Sequence, residues 1–163
     1  MVTRKISDLQ PVLQDASLTG ETVVYTVGPR PDGVTGDVTT IYHKMLGREF
    51  PKTYGHYHVP PHSETYSIKS GWAMVLTQKV DKAGQLLDFN HQLLKKGESF
   101  TVPEDYGHVL VNVGNEPLIA WDDWDPTWAK HTYGGVTAKR GFAYYVVADQ
   151  GRQPQLVQNP RYF

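Results

Sequence analysis

Residues 55–71 read GHYHVPPHSETYSIKSG, and the way this run folds decides the architecture of the whole chain. His56 and His58 lie two apart on a segment, Thr53–His58, that reads as a strand. Successive strand residues point to opposite faces, so this spacing puts both imidazoles on one face, close enough to grip one divalent cation. Pro60-Pro61 then breaks the strand, and Glu64 opens the next, Glu64–Lys69. In that strand Glu64, Tyr66 and Ile68 share an inner face, while Thr65, Ser67 and Lys69 take the more polar outer one. A carboxylate carried inward needs a cation, a hydrogen-bond network or a proton.

The run 97–112, GESFTVPEDYGHVLVN, supplies a fourth candidate. It reads as turn (Lys96-Gly97), strand (Glu98–Val102), turn (Pro103-Glu104-Asp105) and strand (Gly107–Val113), with His108, Leu110 and Asn112 on one face. Three imidazoles and one carboxylate suit Fe, Mn, Ni, Co or Zn and leave open positions for substrate oxygens or water. The chain has 7 histidines, and a lone one is more often a surface or satisfied core group than a ligand.

Turn formers are dense on both sides of these runs, with 15 Gly and 11 Pro in 163 residues. Strands are expected over Thr22–Val27, Val38–Met45, Leu86–Leu94, Leu118–Trp121, Phe142–Ala148 and Gln155–Val157, the last two as a pair. Glu64–Lys69 and Trp72–Val80 are expected to form a hairpin around Ser70-Gly71. Asp122–Gly135 reads as irregular or briefly helical, and Ile6–Leu18 as a short N-terminal helix interrupted near Pro11. About ten short strands favour an all-β rolled sheet, and the length suits one domain over 1–163. The barrel core is expected over about 22–125, with C-terminal strands over 142–157.

The formal net charge of −1 directs no basic field at nucleic acid or an anionic membrane. Without cysteine there are no disulfides or thiolate sites, and the first residues show neither an export signal nor a spanning segment. A cytoplasmic location is the expectation.

The run 55–71 resembles the first cupin motif, two histidines and a glutamate followed seven residues later by glycine; 97–112 is similar to the second. One departure matters. Five residues separate His58 from Glu64, where many cupins have three or four, so His62 competes with Glu64 as a ligand; the distance from Glu64 to Gly71 favours Glu64. From about Glu21 onward a narrower likeness appears. The segments ETVVY, DVTTIY, KTYGHYH, SETYSIKSGWAMVLTQ, KHTYGGVTAKRGF and QLVQNPRYF resemble cupin-type, archaeal-type glucose-6-phosphate isomerases, although the loop between Val27 and Val38 is shorter than in that family.

The resemblance implies a jelly-roll cupin with one divalent ion per chain, Fe(II) first among Mn, Ni, Co and Zn, held by His56, His58, Glu64 and His108. It places substrate contacts at Tyr25, Thr40, Thr53, Gly55 and Tyr66, with His131 and Tyr133 also at the site. The implied reaction interconverts glucose 6-phosphate and fructose 6-phosphate as part of glycolysis or gluconeogenesis. Glu64 would serve as base, with His131 or Tyr133 assisting; a cis-enediol and a metal-assisted hydride shift both remain open. A homodimer is implied as well.

The plainer readings stand beside these. Tyr25, Tyr66 and Tyr133 suit half-buried barrel aromatics, and threonines at 39, 40 and 53 are good strand formers. Trp72, Trp121, Trp124 and Trp128 read as core or dimer packing. Asp122, Asp123 and Asp125 read as a solvated acidic loop, and Arg48 and Lys52 as surface charge. Two other functions use the same four ligands: a metal-dependent oxygenase, which calls for a largely apolar pocket, and a non-catalytic sugar-binding cupin.

Overall fold

A computed structural model describes residues 1–163. The inward–outward alternation from Glu64 to Ile68 is realised as buried and half-buried positions in turn. In chain order the elements are β1 (Val2–Lys5), α1 (Ile6–Leu9), a 3-10 turn (Gln10–Val12), β2 (Val23–Pro29), β3 (Asp37–Ile41), β4 (Tyr57–Val59), β5 (Glu64–Ser70) and β6 (Trp72–Val80). They continue as β7 (Leu86–Lys95), β8 (Ser99–Val102), β9 (Gly107–Asn112), β10 (Leu118–Asp122), β11 (Lys130–Thr132), α2 (Gly134–Ala138), β12 (Tyr144–Ala148) and β13 (Pro154–Gln158).

The larger sheet has six strands in the order β1-β2-β3-β10-β5-β8, and a second has three in the order β7-β6-β9. β11-β4 and β12-β13 form two small pairs. One cluster of 25 buried residues draws on both sheets, including Ile41, Ile68 and Leu118 from the first and Ala73, Val75 and Leu110 from the second. Each large aliphatic side chain so buried contributes roughly 1.5–3 kcal/mol. The all-β class and the short N-terminal helix are as expected, and the strand order brings runs 55–71 and 97–112 together across the sheets.

Several boundaries differ from expectation, each for a physical reason. β5 and β6 do not form a hairpin: β5 pairs with β10 and β8, and β6 with β7 and β9. Gly71 instead turns the chain from one sheet into the other. Its φ is +83°, and a Cβ there would lie 3.0 Å from both Leu118 Cα and Pro117 O, so the corner needs glycine. β3 ends at Ile41 rather than Met45, because its antiparallel partner β10 begins opposite it, at Leu118. The expected strand Thr53–His58 is an interrupted run. Lys52 and His56 make isolated bridges to Val111 and His108, and regular pairing begins only at Tyr57. The irregular stretch Asp122–Gly135 contains β11, which pairs with β4. β1 was not expected at all: its four residues carry two basic side chains, and its only strand partner is β2.

Candidate metal centre and cavity

Backbone pairing assembles the four candidate ligands. His56 and His108 face each other in an antiparallel bridge, the N–H of each donating to the other's carbonyl at 3.2 and 3.1 Å. His58 lies opposite His131 in the β4–β11 register. Glu64, 2% exposed, enters from the first position of β5. Ligand atoms from His56, His58, Glu64 and His108 all lie within 4.8 Å of one another, so the group could hold one metal ion. His56 Nε2 is 3.3 Å from His58 Nε2, and Glu64 Oε2 is 3.2 Å from His58 Nε2 and 3.1 Å from His108 Nε2.

Donor chemistry fits a cation at this convergence. Glu64 Oε2 is buried without a hydrogen-bond partner, a costly state for a carboxylate oxygen unless positive charge balances it. The His62 carbonyl lies 2.8 Å from His58 Nδ1. A carbonyl can only accept, so Nδ1–H donates to it and Nε2 keeps its lone pair for a metal. The His62 ring, meanwhile, stacks on Trp128 with centroids 4.4 Å apart and stands outside the four-residue group. Thus the backbone of His62 orients a neighbour, while its side chain lies elsewhere. Burial holds His56 well below the usual imidazole value, with His108 and His131 adding to the effect. Burial pushes the Glu64 carboxyl up, but the histidines around it, His108 foremost, outweigh this and hold it well below the carboxylate range.

The group opens onto a cavity of about 180 Å³. Tyr25, Thr53, Gly55, Tyr66, His131 and Tyr133 all line it. Thr40 does not. β3 alternates Asp37, Thr39 and Ile41 toward the interior, so Thr39 reaches the cavity and Thr40 takes the opposite face, across from Thr26 and Ile119. Gly55 has φ +85°, and a Cβ there would lie 3.1 Å from Phe142 Cε1, so this wall takes no ordinary side chain. Tyr25 Oη accepts the Tyr54 N–H at 3.3 Å, and Tyr66 Oη lies 3.0 Å from His108 Nε2. Burial raises both phenols, so both remain protonated at neutral pH. His131 stacks on His56 with centroids 3.8 Å apart; burial lowers it to about 4, leaving a neutral imidazole 3.5 Å from Tyr133 Oη.

Further cavity residues that were not anticipated include Arg4, Asp37, Asp122 and Trp124. For Asp122 the signal was available, because Leu118, Ala120 and Asp122 are the buried alternates of β10. It is not part of a solvated loop; only Asp123, beside it, is exposed. Trp124 is 5% exposed and stacks on His58 at 4.1 Å, which fits its packing role. Lys52 is also no surface charge: it is buried in an ion pair with Glu49.

Asp122 gives a pH-dependent prediction. Burial drives its carboxyl up to about 7, the Glu64 charge adds to the rise, and the Asp37 and Trp124 N–H groups it accepts at 2.8 and 3.0 Å oppose it. Its folded-state value exceeds the unfolded one, so its contribution to stability is full below about pH 4 and is lost as pH rises through about 7. Asp122→Asn keeps an oxygen for both N–H groups and cannot ionise. In chelator-treated protein its melting temperature is expected to match wild type near about pH 4.5 and to exceed it by several degrees at about pH 8. A constant difference across that range would refute a buried, reluctantly ionised Asp122.

Comparison with known proteins accords with this geometry. Similar proteins include the glucose-6-phosphate isomerases of Thermococcus kodakarensis, 31% identical, and Pyrococcus abyssi, 30% identical, each alignment covering 99% of this chain and 87% of the relative. That of Thermococcus gammatolerans is 29% identical over the same shares. Among solved structures, recombinant oxalate oxidase in complex with glycolate aligns with 68% of this chain and 55% of its own at TM-score 0.48 and 18% identity, too distant to bear on fold or function. The profile of the family described as Glucose-6-phosphate isomerase (GPI) matches residues 3–162. With that match and relatives of this identity over nearly its whole length, the chain belongs to the glucose-6-phosphate isomerase family.

Proposed function

We propose that the protein is a metal-dependent aldose–ketose isomerase interconverting glucose 6-phosphate and fructose 6-phosphate through a cis-enediol. The observation that carries this reading is a group of four converging ligands, of which His56 and Glu64 line a cavity whose other walls present Tyr25, Thr39, Thr53, Tyr66 and Tyr133. A lining so rich in hydroxyl and charged groups favours a polyhydroxylated, phosphorylated substrate over the apolar one an oxygenase would hold. The family membership points the same way.

A divalent ion in this group supplies an electrophile for charge developing on the substrate oxygens. Fe(II) is the ion we assign first, with Mn, Ni, Co and Zn compatible with the same donors. Glu64, kept ionised and facing the cavity, takes the proton from C2 of the aldose and returns it to C1, which converts aldose to ketose. His131 and Tyr133 sit side by side at the cavity wall and move the hydroxyl proton between O1 and O2. Tyr25, Thr53 and the Gly55 N–H hold the sugar phosphate by hydrogen bonds. We extend the proposal to a cytoplasmic homodimer, for which Trp72, Leu87 and Leu93 supply exposed apolar surface.

The test is a coupled assay of fructose 6-phosphate conversion on chelated and metal-restored protein. The expected result is glucose 6-phosphate formation that falls at least about 100-fold on chelation and returns with a divalent ion. Absence of metal-dependent product would sink the reading. Run in D2O, the product should carry carbon-bound deuterium; complete retention of protium would replace the enediol with a hydride shift.

A further inference from the structure

Arg4 is a basic side chain inside the cavity whose charge no carboxylate of the chain pairs. β1 pairs antiparallel with β2 so that Arg4 lies directly opposite Tyr25, and the register breaks between Arg4 and Lys5. Such bulges re-aim the side chains beside them. Lys5 turns outward and pairs with Glu21, whereas Arg4 lines the cavity as its one Lys or Arg. The ion pairs of the chain are Lys5–Glu21, Arg30–Asp32, Lys52–Glu49 and Lys79–Asp105; Arg4 takes part in none. Its Nε is buried with no hydrogen-bond partner.

A guanidinium is always charged and carries five N–H donors in a planar fork. Leaving one of those donors buried and unmade is unfavourable, so the position is shaped for an acceptor that arrives with the ligand. Three carboxyl groups, Asp37, Glu64 and Asp122, line the same cavity. A dianionic ligand therefore enters against negative charge unless a cation meets it. Arg4 is also felt by the neighbouring hydroxyls: its charge partly offsets the rise that burial imposes on Tyr25 and Tyr133.

We propose that Arg4 is the specificity-determining residue for the phosphate group, taking it through paired N–H donors beside the Tyr25 hydroxyl and leaving the carbonyl-bearing end of the sugar to the four-ligand group. This rests on the phosphosugar reading above and deepens it. It explains why a short N-terminal strand of little hydrophobic content is paired onto the edge of the larger sheet: the strand delivers the charge.

The test uses the full-length protein with Arg4→Gln and Arg4→Lys, each checked for wild-type melting temperature and metal content. Expected for Arg4→Gln is a rise in KM for fructose 6-phosphate of about 10- to 100-fold, with kcat falling less than KM rises, and partial recovery in Arg4→Lys. Turnover of unphosphorylated fructose, where measurable, should change far less, so that the preference for the phosphorylated sugar collapses. A second arm measures inorganic phosphate binding to chelated wild type and Arg4→Gln by calorimetry, with at least about tenfold weaker binding expected in the variant. An unchanged KM in folded Arg4→Gln, equal losses on both sugars, equal phosphate affinity, or no phosphate binding to wild type would each overturn the assignment. If wild type fails to isomerise the sugar, the phosphosugar reading falls, and the phosphate arm still decides the role of Arg4.

Discussion

Glu64→Gln is expected to lower kcat/KM for fructose 6-phosphate by about 10³-fold or more, the largest catalytic effect of any single replacement in the cavity. Two losses combine. The amide cannot accept the C2 proton, and general-base catalysis alone contributes about 10²–10⁴. It also removes the only negative charge among the four candidate ligands, whose Oε2 lies 3.2 and 3.1 Å from His58 and His108 Nε2. Metal content by elemental analysis separates the two, because a variant that keeps its ion and still loses turnover has lost the base. Glutamine preserves the volume of a side chain 2% exposed, so a folding defect is not expected and the melting curve checks this. A metal-replete Glu64→Gln within about tenfold of wild type would remove Glu64 from the base role. Intact sugar binding and no turnover in either protein would favour a non-catalytic cupin.

Lys52→Met is expected to destabilise the fold by about 3–5 kcal/mol, the largest stability effect. Lys52 is 6% exposed and Glu49 1%, and the two form an ion pair. Lys52 Nζ also donates to Val12 O at 2.8 Å, while Glu49 Oε2 accepts the Gln14 N–H at 2.9 Å. Removing the lysine strands a buried carboxylate and frees Val12 O, so the segment behind α1 loses its anchor to the body of the fold. The expected fall in melting temperature is roughly 10 °C. Glu49→Gln/Lys52→Met removes both charges and should recover part of the loss, since the penalty lies in the unpaired charge more than in the pair itself. A single-variant loss below about 1 kcal/mol, or a double variant no better than the single, would contradict this account.

Much of the metal group was legible because it depends on local rules. Residues two apart on an extended segment share a face, which brings His56 and His58 together whatever the rest of the chain does. The same rule turns Glu64 and Tyr66 inward from β5. It was not enough for Thr39 and Thr40, which differ by one position: choosing between them requires knowing which face of β3 meets the interior, and that is set by pairing with β2 and β10. Nor could the spacing after His58 decide what His62 does. That depended on Trp128, more than sixty residues away, whose ring the imidazole stacks against.

From its sequence alone the protein is recognisable as an all-β chain with two runs of candidate metal ligands, because strand alternation, turn residues and ligand spacing are short-range properties. What tertiary structure decided was which distant side chains share the cavity. Arg4 came from a four-residue strand with no pattern of its own, Asp122 from the end of β10, and His131 from a strand formed only by pairing with β4. Strand pairing over long sequence separations and the burial it imposes place these groups around the candidate ligands. The predicted hairpin gave way to a glycine corner for the same reason: β5 and β6 each found better partners in different sheets. The four-residue metal group with which the chain was first read thus acquired its chemistry, a cation and buried acids around a polar cavity, from contacts that no local pattern encodes.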